Sequence, residues 1–164
     1  MDNLTTELIK NFGNKIRVRV CGILIQDGKI LLVKHHSLSK AGYLWAPPGG
    51  GVNFGETVED SLKREFAEET GLTVETEGFL FINEYLEPPL HAIELFFKVK
   101  VTGGQLITGT DPEMGDNQII KEVKFMDDTQ LKAEPSEALH SILTITPSLQ
   151  ELINLRGYYK YIPK

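Results

Sequence analysis

The chain has 164 residues, of which 41% are hydrophobic and 24% charged, and its formal net charge at pH 7 is −6. This length and composition predict a single globular domain over residues 1–164 and exclude a disordered or fibrous chain. The acidic balance and the absence of long lysine or arginine runs argue against a nucleic acid polymer as a partner.

Cysteine content and the amino-terminal sequence bear on the cellular compartment. Cys21 is the only cysteine, so no intrachain disulfide can form, and its apolar neighbours predict a buried thiol. The first residues, MDNLTTELIKNFGNK, lack a basic segment followed by an apolar one, and no apolar run approaches the roughly 20 residues that span a bilayer. We therefore expect a cytoplasmic protein that does not enter a membrane.

The first elements in the chain are a helical segment and two strands. Residues 4–12 fit a short amphipathic helix or an ordered arm. Residues 16–25 alternate and then run apolar, residues 30–33 are apolar again, and both segments predict strands of the first sheet. Asp27-Gly28 lies between these apolar runs, which is a strong signal for a β-hairpin.

A polar loop is expected from His35 to Gly42, before Tyr43-Leu44-Trp45. Adjacent histidines seldom converge on a metal without further ligands, so we expect His35 and His36 to be solvated. Trp45 is expected in the core, and a platform for a nucleobase is the alternative.

The segment Gly50 to Leu72, GGVNFGETVEDSLKREFAEETGL, carries most of the chemistry. Glu65, Glu68 and Glu69 follow one another at i, i+3 and i+4, and lie on one side of a helix. Like charges at this spacing repel by a few tenths of a kcal/mol per pair, so we expect a cation beside them. The alternative is an amphipathic helix whose glutamates face water.

Local signals predict where this helix begins and ends. Thr57 and Asp60 have the spacing of a capping box, and Gly71 is placed for a left-handed C-terminal cap. An apolar stripe beside the glutamates repeats at every fourth residue and consists of Val58, Leu62 and Phe66.

A glycine-rich turn, Pro47-Pro48-Gly49-Gly50-Gly51, precedes the helix. Consecutive glycines let the backbone approach a ligand and leave its N–H and C=O groups free to bind phosphate or metal. Glu56 comes just before the helix, and Arg64 is its natural partner because a guanidinium can hold a carboxylate by two bonds.

These residues carry a family resemblance. Gly50, five residues, Glu56, seven residues and then REFAEETGL from Arg64 resemble the Nudix box of the Nudix hydrolases at every fixed position. The resemblance implies an α/β (α+β) fold, the α/β/α sandwich with a mixed sheet in which the box forms loop, helix and loop. The strand pattern from about residue 16 to 126 is compatible with that fold.

The resemblance also implies a reaction, the metal-dependent hydrolysis of a diphosphate bond in a nucleoside diphosphate linked to another moiety, X. Carboxylate oxygens suit Mg²⁺ or Mn²⁺ rather than zinc. By the resemblance, Arg64 orients Glu56, and both belong to the catalytic set with Glu68 and Glu69. The implied metal ligands are the Gly50 carbonyl, Glu65, Glu68 and Glu69.

The general base and one ligand position stay open. In many relatives the position of Asn53 is acidic, so its amide leaves one metal or substrate contact in question. The base must come within roughly 3 Å of the attacking water. Its candidates are Glu68, Glu69, Glu113, Asp116 and Glu122.

After the box, residues 73–85 and 91–101 predict two strands joined by Glu87-Pro88-Pro89. In the second strand, apolar residues at every second position alternate with Glu94, Phe96, Lys98 and Lys100. This alternation predicts a sheet in which the face that carries these four residues is in water. Residues 107–118 are expected to form a loop and residues 119–126 another strand.

The C-terminal region predicts short helices and an aromatic tail. Asp127-Asp128 is expected to cap a helix near Leu131. Helices are predicted over 136–145, with Ser136 as N-cap, and over 148–155. The tail, GYYKYIPK, could pack against the domain, contact a second copy in a homodimer, or fray.

Substrate choice depends on residues outside the box. The leading hypothesis is a small-molecule nucleotide, a nucleoside diphosphate linked to X; a sanitising nucleoside triphosphate pyrophosphatase is next. A non-catalytic nucleotide-sensing module is the alternative from another class, but it usually lacks the box glutamates. Candidate substrate contacts, for whose aromatic members packing is the alternative, are Tyr43, Trp45, Phe54, Tyr85, His91, Glu113, Asp116 and Glu122.

Overall fold

The computed structural model describes residues 3–36 and 38–161. Its helices are α1 (Asn3–Phe12), α2 (Val58–Thr70), α3 (Asp128–Ala133) and α4 (Leu149–Leu152). Its strands are β1 (Ile16–Ile23), β2 (Ile25–Gln26), β3 (Lys29–His36), β4 (Tyr43–Ala46), β5 (Gly49–Gly51), β6 (Leu72–Glu87), β7 (Leu90–Gly104), β8 (Ile120–Met126) and β9 (Gly157–Lys160). Three-residue 3₁₀ turns lie at Pro112–Met114, Ser136–Ala138 and Ser141–Leu143.

The strands form two sheets. The first has the order β5-β1-β7-β6-β9, with parallel pairing of β1 with β7 and of β6 with β9, and antiparallel pairing elsewhere. In the second, β3 pairs with β8 along one edge and with β2 and β4 along the other, all antiparallel. The predicted mixed α/β architecture is confirmed.

Both faces of the sheets are packed. Neighbouring residues of β1 enter different clusters: Val20 packs with Leu62 and Phe66 of α2, whereas Cys21 packs with Trp45 on the other side. Strands covered on both faces read as continuous apolar runs. The expected water-facing side of β7 is wrong for Glu94 and Phe96, which are buried, but holds for Lys98 and Lys100, which are exposed.

Several local predictions are confirmed. Asp27 and Gly28 both have positive φ, 50° and 73°, as a two-residue hairpin turn requires, and they join β2 to β3. The amphipathic segment 4–12 is helical, in α1; the side chain of Leu4 lies outside the described residues. Asp127 caps α3 in a reciprocal arrangement with Gln130.

The predicted helix over 136–145 is wrong. Leu139 pairs with Trp45 in an isolated bridge, and the His140 N–H donates to the Trp45 carbonyl at 2.8 Å. This extended pairing separates two 3₁₀ turns, and Ser136 lies inside the first of them instead of capping it. Of the helix predicted over 148–155, only the four residues of α4 are helical, after the N-cap Ser148.

The aromatic tail packs against the domain. In β9, residues from Gly157 to Lys160 pair with β6, and the Tyr159 ring lies edge-on to Phe81, with centroids 5.5 Å apart. Residues 162–164 of the tail lie outside the described residues. Within 3–36 and 38–161, no helix has the length and apolar character needed to cross a membrane.

Candidate active site

Two caps fix the start and end of α2. The Thr57 side chain accepts the Asp60 N–H at 3.1 Å, and its hydroxyl donates to the Asp60 carboxylate at 2.7 Å. Gly71, with φ of 72°, donates its N–H to the Ala67 carbonyl. The helix therefore begins at Val58, with only the N-cap Thr57 between it and Glu56.

Arg64 links four parts of the site. Its Nε and Nη2 donate to the two oxygens of Glu56, each at 3.0 Å, and Nη2 also donates to the Gly51 carbonyl at 3.1 Å. Its Nη1 donates to Glu65 at 2.8 Å and to Glu68 at 3.3 Å. The Arg64 and Ser61 hydrogen bonds hold the pKa of Glu56 below its usual range.

Glu65 is buried against the glycine turn. It is 7% exposed, and a side-chain carbon on Gly50 would collide with its carboxyl group. Burial and the nearby charge of Glu69 raise the pKa of Glu65 to about 7, although Arg64 opposes this shift. Only glycine at position 50 allows this approach.

Glu69 is only 3% exposed, and two elements position it. Its Oε2 accepts the Gly49 N–H at 2.9 Å, and its Oε1 lies 3.6 Å from Nε2 of His35. The predicted loop is wrong here, because His35 and His36 both belong to β3; His35 is buried, whereas His36 is exposed as expected. The His35 ring faces Glu69 of α2, because the pairing of β3 with β8 fixes the side of the strand on which His35 lies.

A segment that sequence reasoning treated as a simple loop is docked on the C-terminal end of α2. Backbone N–H groups of Ile107, Gly109 and Thr110 donate to the carbonyls of Thr70, Glu69 and Glu68, at 2.9, 2.8 and 3.0 Å. These carbonyls have no partner within the helix, so the segment completes it. A side-chain carbon on Gly109 would collide with the same backbone.

The docked segment brings two carboxylates toward the box. Asp111 contributes to the raised pKa of Glu68, after burial as the main cause, and burial raises the pKa of Asp111 itself. Glu113 Oε1 lies 3.8 Å from the point that a side-chain carbon on Gly51 would occupy. Of the later base candidates, Glu113 is thus beside the glycine turn.

Two arginines of β1 that lie near the site were not identified from the sequence. Arg17 and Arg19 alternate along the strand and project to one face, where Arg19 Nε lies 3.8 Å from Glu94. Burial opposes the charge of Arg19, but Cys21, Glu94, Glu69 and Glu65 together raise its pKa. Alternating arginines within an apolar strand were the available signal.

Other candidates are not brought to the carboxylates. Trp45 is fully buried, whereas Phe54 is fully exposed on the box loop. Tyr85 donates to Glu87 at 2.8 Å and stacks on Tyr161. Tyr43 donates to Glu134, and His91 pairs with Glu84. Asp116 is exposed on a turn. Glu122 pairs with Lys124, and its neighbour Val123 packs, with Phe125, against the cluster beneath α2.

The donor chemistry of the box fits a hard divalent cation. Oxygen atoms from buried carboxylates and a backbone carbonyl are the ligands that Mg²⁺ and Mn²⁺ take, and the charge of Glu69 raises the pKa of Glu65 even though Arg64 opposes this shift. Among the described residues, no three acidic, histidine or cysteine side chains converge as a preformed metal cluster. Glu65 and Glu68 are instead turned toward Arg64.

The chain is similar in sequence to two curated pyrophosphatases. It is 38% identical over 112 residues to an ADP-ribose pyrophosphatase from Methanocaldococcus jannaschii, a match that covers 67% of this chain and 61% of that protein. It is 42% identical over 74 residues to an RNA pyrophosphohydrolase from Caulobacter vibrioides, covering 40% of this chain and 42% of the relative. The chain thus spans less than two thirds of these curated relatives.

The fold and the family agree with these matches. A MutT protein structure from Bacillus halodurans superimposes with a TM-score of 0.64 at 19% identity, covering 90% of this chain and 91% of that one. The NUDIX domain family matches residues 15–144. The chain therefore belongs to the Nudix hydrolase family.

Proposed function

We propose that the protein hydrolyses a diphosphate bond in a nucleoside diphosphate linked to a second moiety, with Mg²⁺ or Mn²⁺ as cofactor. The observation that carries the proposal is the pair of buried carboxylates, Glu65 and Glu69, held against a glycine turn. Buried carboxylates repel one another unless a cation neutralises them. The similarity to an ADP-ribose pyrophosphatase supports this class of substrate.

In this proposal the ligands are Glu65, Glu68, Glu69 and the Gly50 carbonyl. A divalent cation bound there would neutralise phosphate charge and lower the pKa of the attacking water. Arg64 keeps Glu56 charged and fixes the turn through Gly51. The Gly49 N–H keeps Glu69 aimed into the site.

Glu68 is the residue we propose as general base, and Glu113 is the alternative. The side chain of Glu68 is 28% exposed, so water reaches it, and its contact with Arg64, at 3.3 Å, is longer than the 2.8 Å contact of Glu65. Glu69 is already engaged by Gly49. Glu68→Gln and Glu113→Gln, made one at a time, distinguish the two, because only loss of the base removes the fall in kcat at low pH that protonation of the base causes.

The test is a panel of nucleoside diphosphate derivatives and nucleoside triphosphates, each incubated with Mg²⁺, with Mn²⁺ or with a chelator. Phosphate-bearing products are separated by chromatography. We expect one product pair that depends on metal, and its identity names X and the bond that is cut. Metal-independent turnover, or tight nucleotide binding with no product from any substrate, would contradict the proposal.

A further inference from the structure

A second surface adjoins the glycine turn. An open groove of about 630 Å³ runs along the edge of β1, between the end of α1 and the box loop. One wall is α1, which precedes the residues matched to the NUDIX domain, 15–144. The groove therefore combines a family element with one from outside the match.

The groove is positively charged in an acidic protein. Its lining carries three cations, Lys10, Lys15 and Arg17, against one carboxylate, Glu113, whereas the whole chain has a formal net charge of −6. Lys10 and Lys15 are exposed, and Arg17 is half-buried. A concave site with one sign of charge concentrates ligands of the opposite sign.

Arg17 is held in place but has unused donors. Its guanidinium lies over the Phe12 ring, 3.9 Å from the centroid. Among the described residues it makes no hydrogen bond or ion pair, and burial and Arg19 lower its pKa to about 10, so that it stays charged at neutral pH. A half-buried guanidinium with free N–H groups is a ready partner for phosphate oxygens.

The groove and the carboxylates meet at Gly51. Arg17 Nη2 lies 3.5 Å from the point where a side-chain carbon on Gly51 would stand, and the Gly51 carbonyl accepts from Arg64. A diphosphate bound at the glutamates would thus continue past Gly51 into the groove. Glycine at this position leaves the passage open.

We propose that the groove binds a phosphoryl group that the substrate carries beyond the cleaved diphosphate, with Arg17 as its principal contact. This inference rests on the proposed function for its substrate. It predicts that X bears its own phosphate, as in a dinucleoside polyphosphate, and is not a neutral sugar. Lys10 and Lys15 add long-range attraction to the same group.

The first test measures binding without catalysis. Inorganic tripolyphosphate is titrated by calorimetry, in the presence of a chelator, into the parent protein, Arg17→Met, Arg17→Lys and Lys29→Gln. Lys29 is an exposed control on the β2–β3 hairpin. We expect Arg17→Met to weaken binding by about tenfold or more and Arg17→Lys by less, with Lys29→Gln equal to the parent. Equal binding by all four proteins, or none by the parent, would overturn the groove assignment.

The second test compares two substrates with bound metal. We expect Arg17→Met to lower kcat/KM for diadenosine tetraphosphate by about tenfold and for ADP-ribose by less than about threefold. Equal losses for both substrates would overturn the assignment. If the parent hydrolyses neither of these substrates nor any other of the nucleotide panel, the proposed function fails, while Arg17-dependent tripolyphosphate binding would still support the groove. Thermal unfolding of each variant separates a lost contact from a lost fold.

Discussion

Arg64 holds Glu56 through two parallel hydrogen bonds, from Nε to Oε1 and from Nη2 to Oε2, each 3.0 Å long. The same guanidinium reaches Glu65 and the Gly51 carbonyl. One side chain thus connects Glu56, which precedes the N-cap of α2, with the helix itself and with the glycine turn. Its planar fork is what allows these bonds at the same time.

The Arg64→Lys variant tests this geometry. Lysine keeps the charge but cannot form the paired bonds, so Glu56 and the turn lose their fixed positions. We expect kcat to fall by about 10- to 100-fold with a small change in melting temperature. Lys63→Gln, at an exposed neighbouring position, is the control and should retain full activity. Parental kcat in Arg64→Lys would show that the fork is dispensable.

Gly50→Ala tests the close approach of the turn to Glu65. The added methyl would collide with the Glu65 carboxyl group, so either that carboxyl group or the turn must shift. We expect a loss of activity on the order of 100-fold and a destabilisation of about 1–3 kcal/mol. Gly103→Ala is the matched control, because its methyl would meet Thr73 at an ordinary 3.8 Å. If both variants behave like the parent, the close packing is not needed.

Gly109→Ala tests the docking of segment 105–110 on α2. The methyl would strike the backbone carbonyl groups of Glu68 and Glu69, and the amides that complete the helix would separate from it. We expect faster hydrogen exchange at the Ile107 and Thr110 amides, and about 1–3 kcal/mol of destabilisation. Unchanged protection at both amides would mean that the segment docks without requiring glycine.

A buried polar cluster away from the box predicts how stability depends on pH. Glu94 is 4% exposed; it accepts from Asn83 at 2.9 Å and from His140 at 3.0 Å, and faces Arg19. Burial alone would raise its pKa, but His140, Arg19 and Asn83 together lower the pKa of Glu94 to about 2. A carboxyl group with a lowered folded-state pKa stabilises the fold above its unfolded-state pKa, and this contribution is lost as the pH falls toward the folded value.

Chemical denaturation between pH 5 and pH 2.5 measures this contribution. We expect the parent to lose about 2 kcal/mol more unfolding free energy over that range than Glu94→Gln, which cannot titrate. Glu75→Gln is the control, because the Glu75 carboxylate is exposed and its ion pair with Lys100, at 3.7 Å, lies at the surface. Parallel pH profiles for the parent and Glu94→Gln would refute a lowered pKa at Glu94.

Sequence reasoning succeeded where a structure is encoded within a few residues. Thr57 and Gly71 mark the two ends of α2, and Asp27 with Gly28 forms a turn, because each of these residues acts on the backbone next to it. The spacing of the box glutamates also places them on one side of α2. These features need no knowledge of what the rest of the chain does.

It failed where a distant strand decides the outcome. His35 is buried because β3 continues to the end of its pairing with β4 and β8, and the helix expected around Leu139 is replaced by pairing with Trp45. Glu94 was predicted to face water because its buried partners, Asn83 and His140, are distant in sequence and no local pattern indicates these contacts. Arg17 likewise depends on α1 for its groove.

The central claim is that the box carboxylates hold a catalytic divalent cation, and Glu69→Gln tests it most directly. Its amide oxygen can still accept the Gly49 N–H, so the fold should persist while the charge is lost. Mn²⁺ binding and turnover are measured together in the parent, in Glu69→Gln and in Glu59→Gln, an exposed control on the same helix. We expect Glu69→Gln to lose both Mn²⁺ binding and turnover while Glu59→Gln keeps both. A folded Glu69→Gln protein that hydrolyses substrate as fast as the parent would contradict the account.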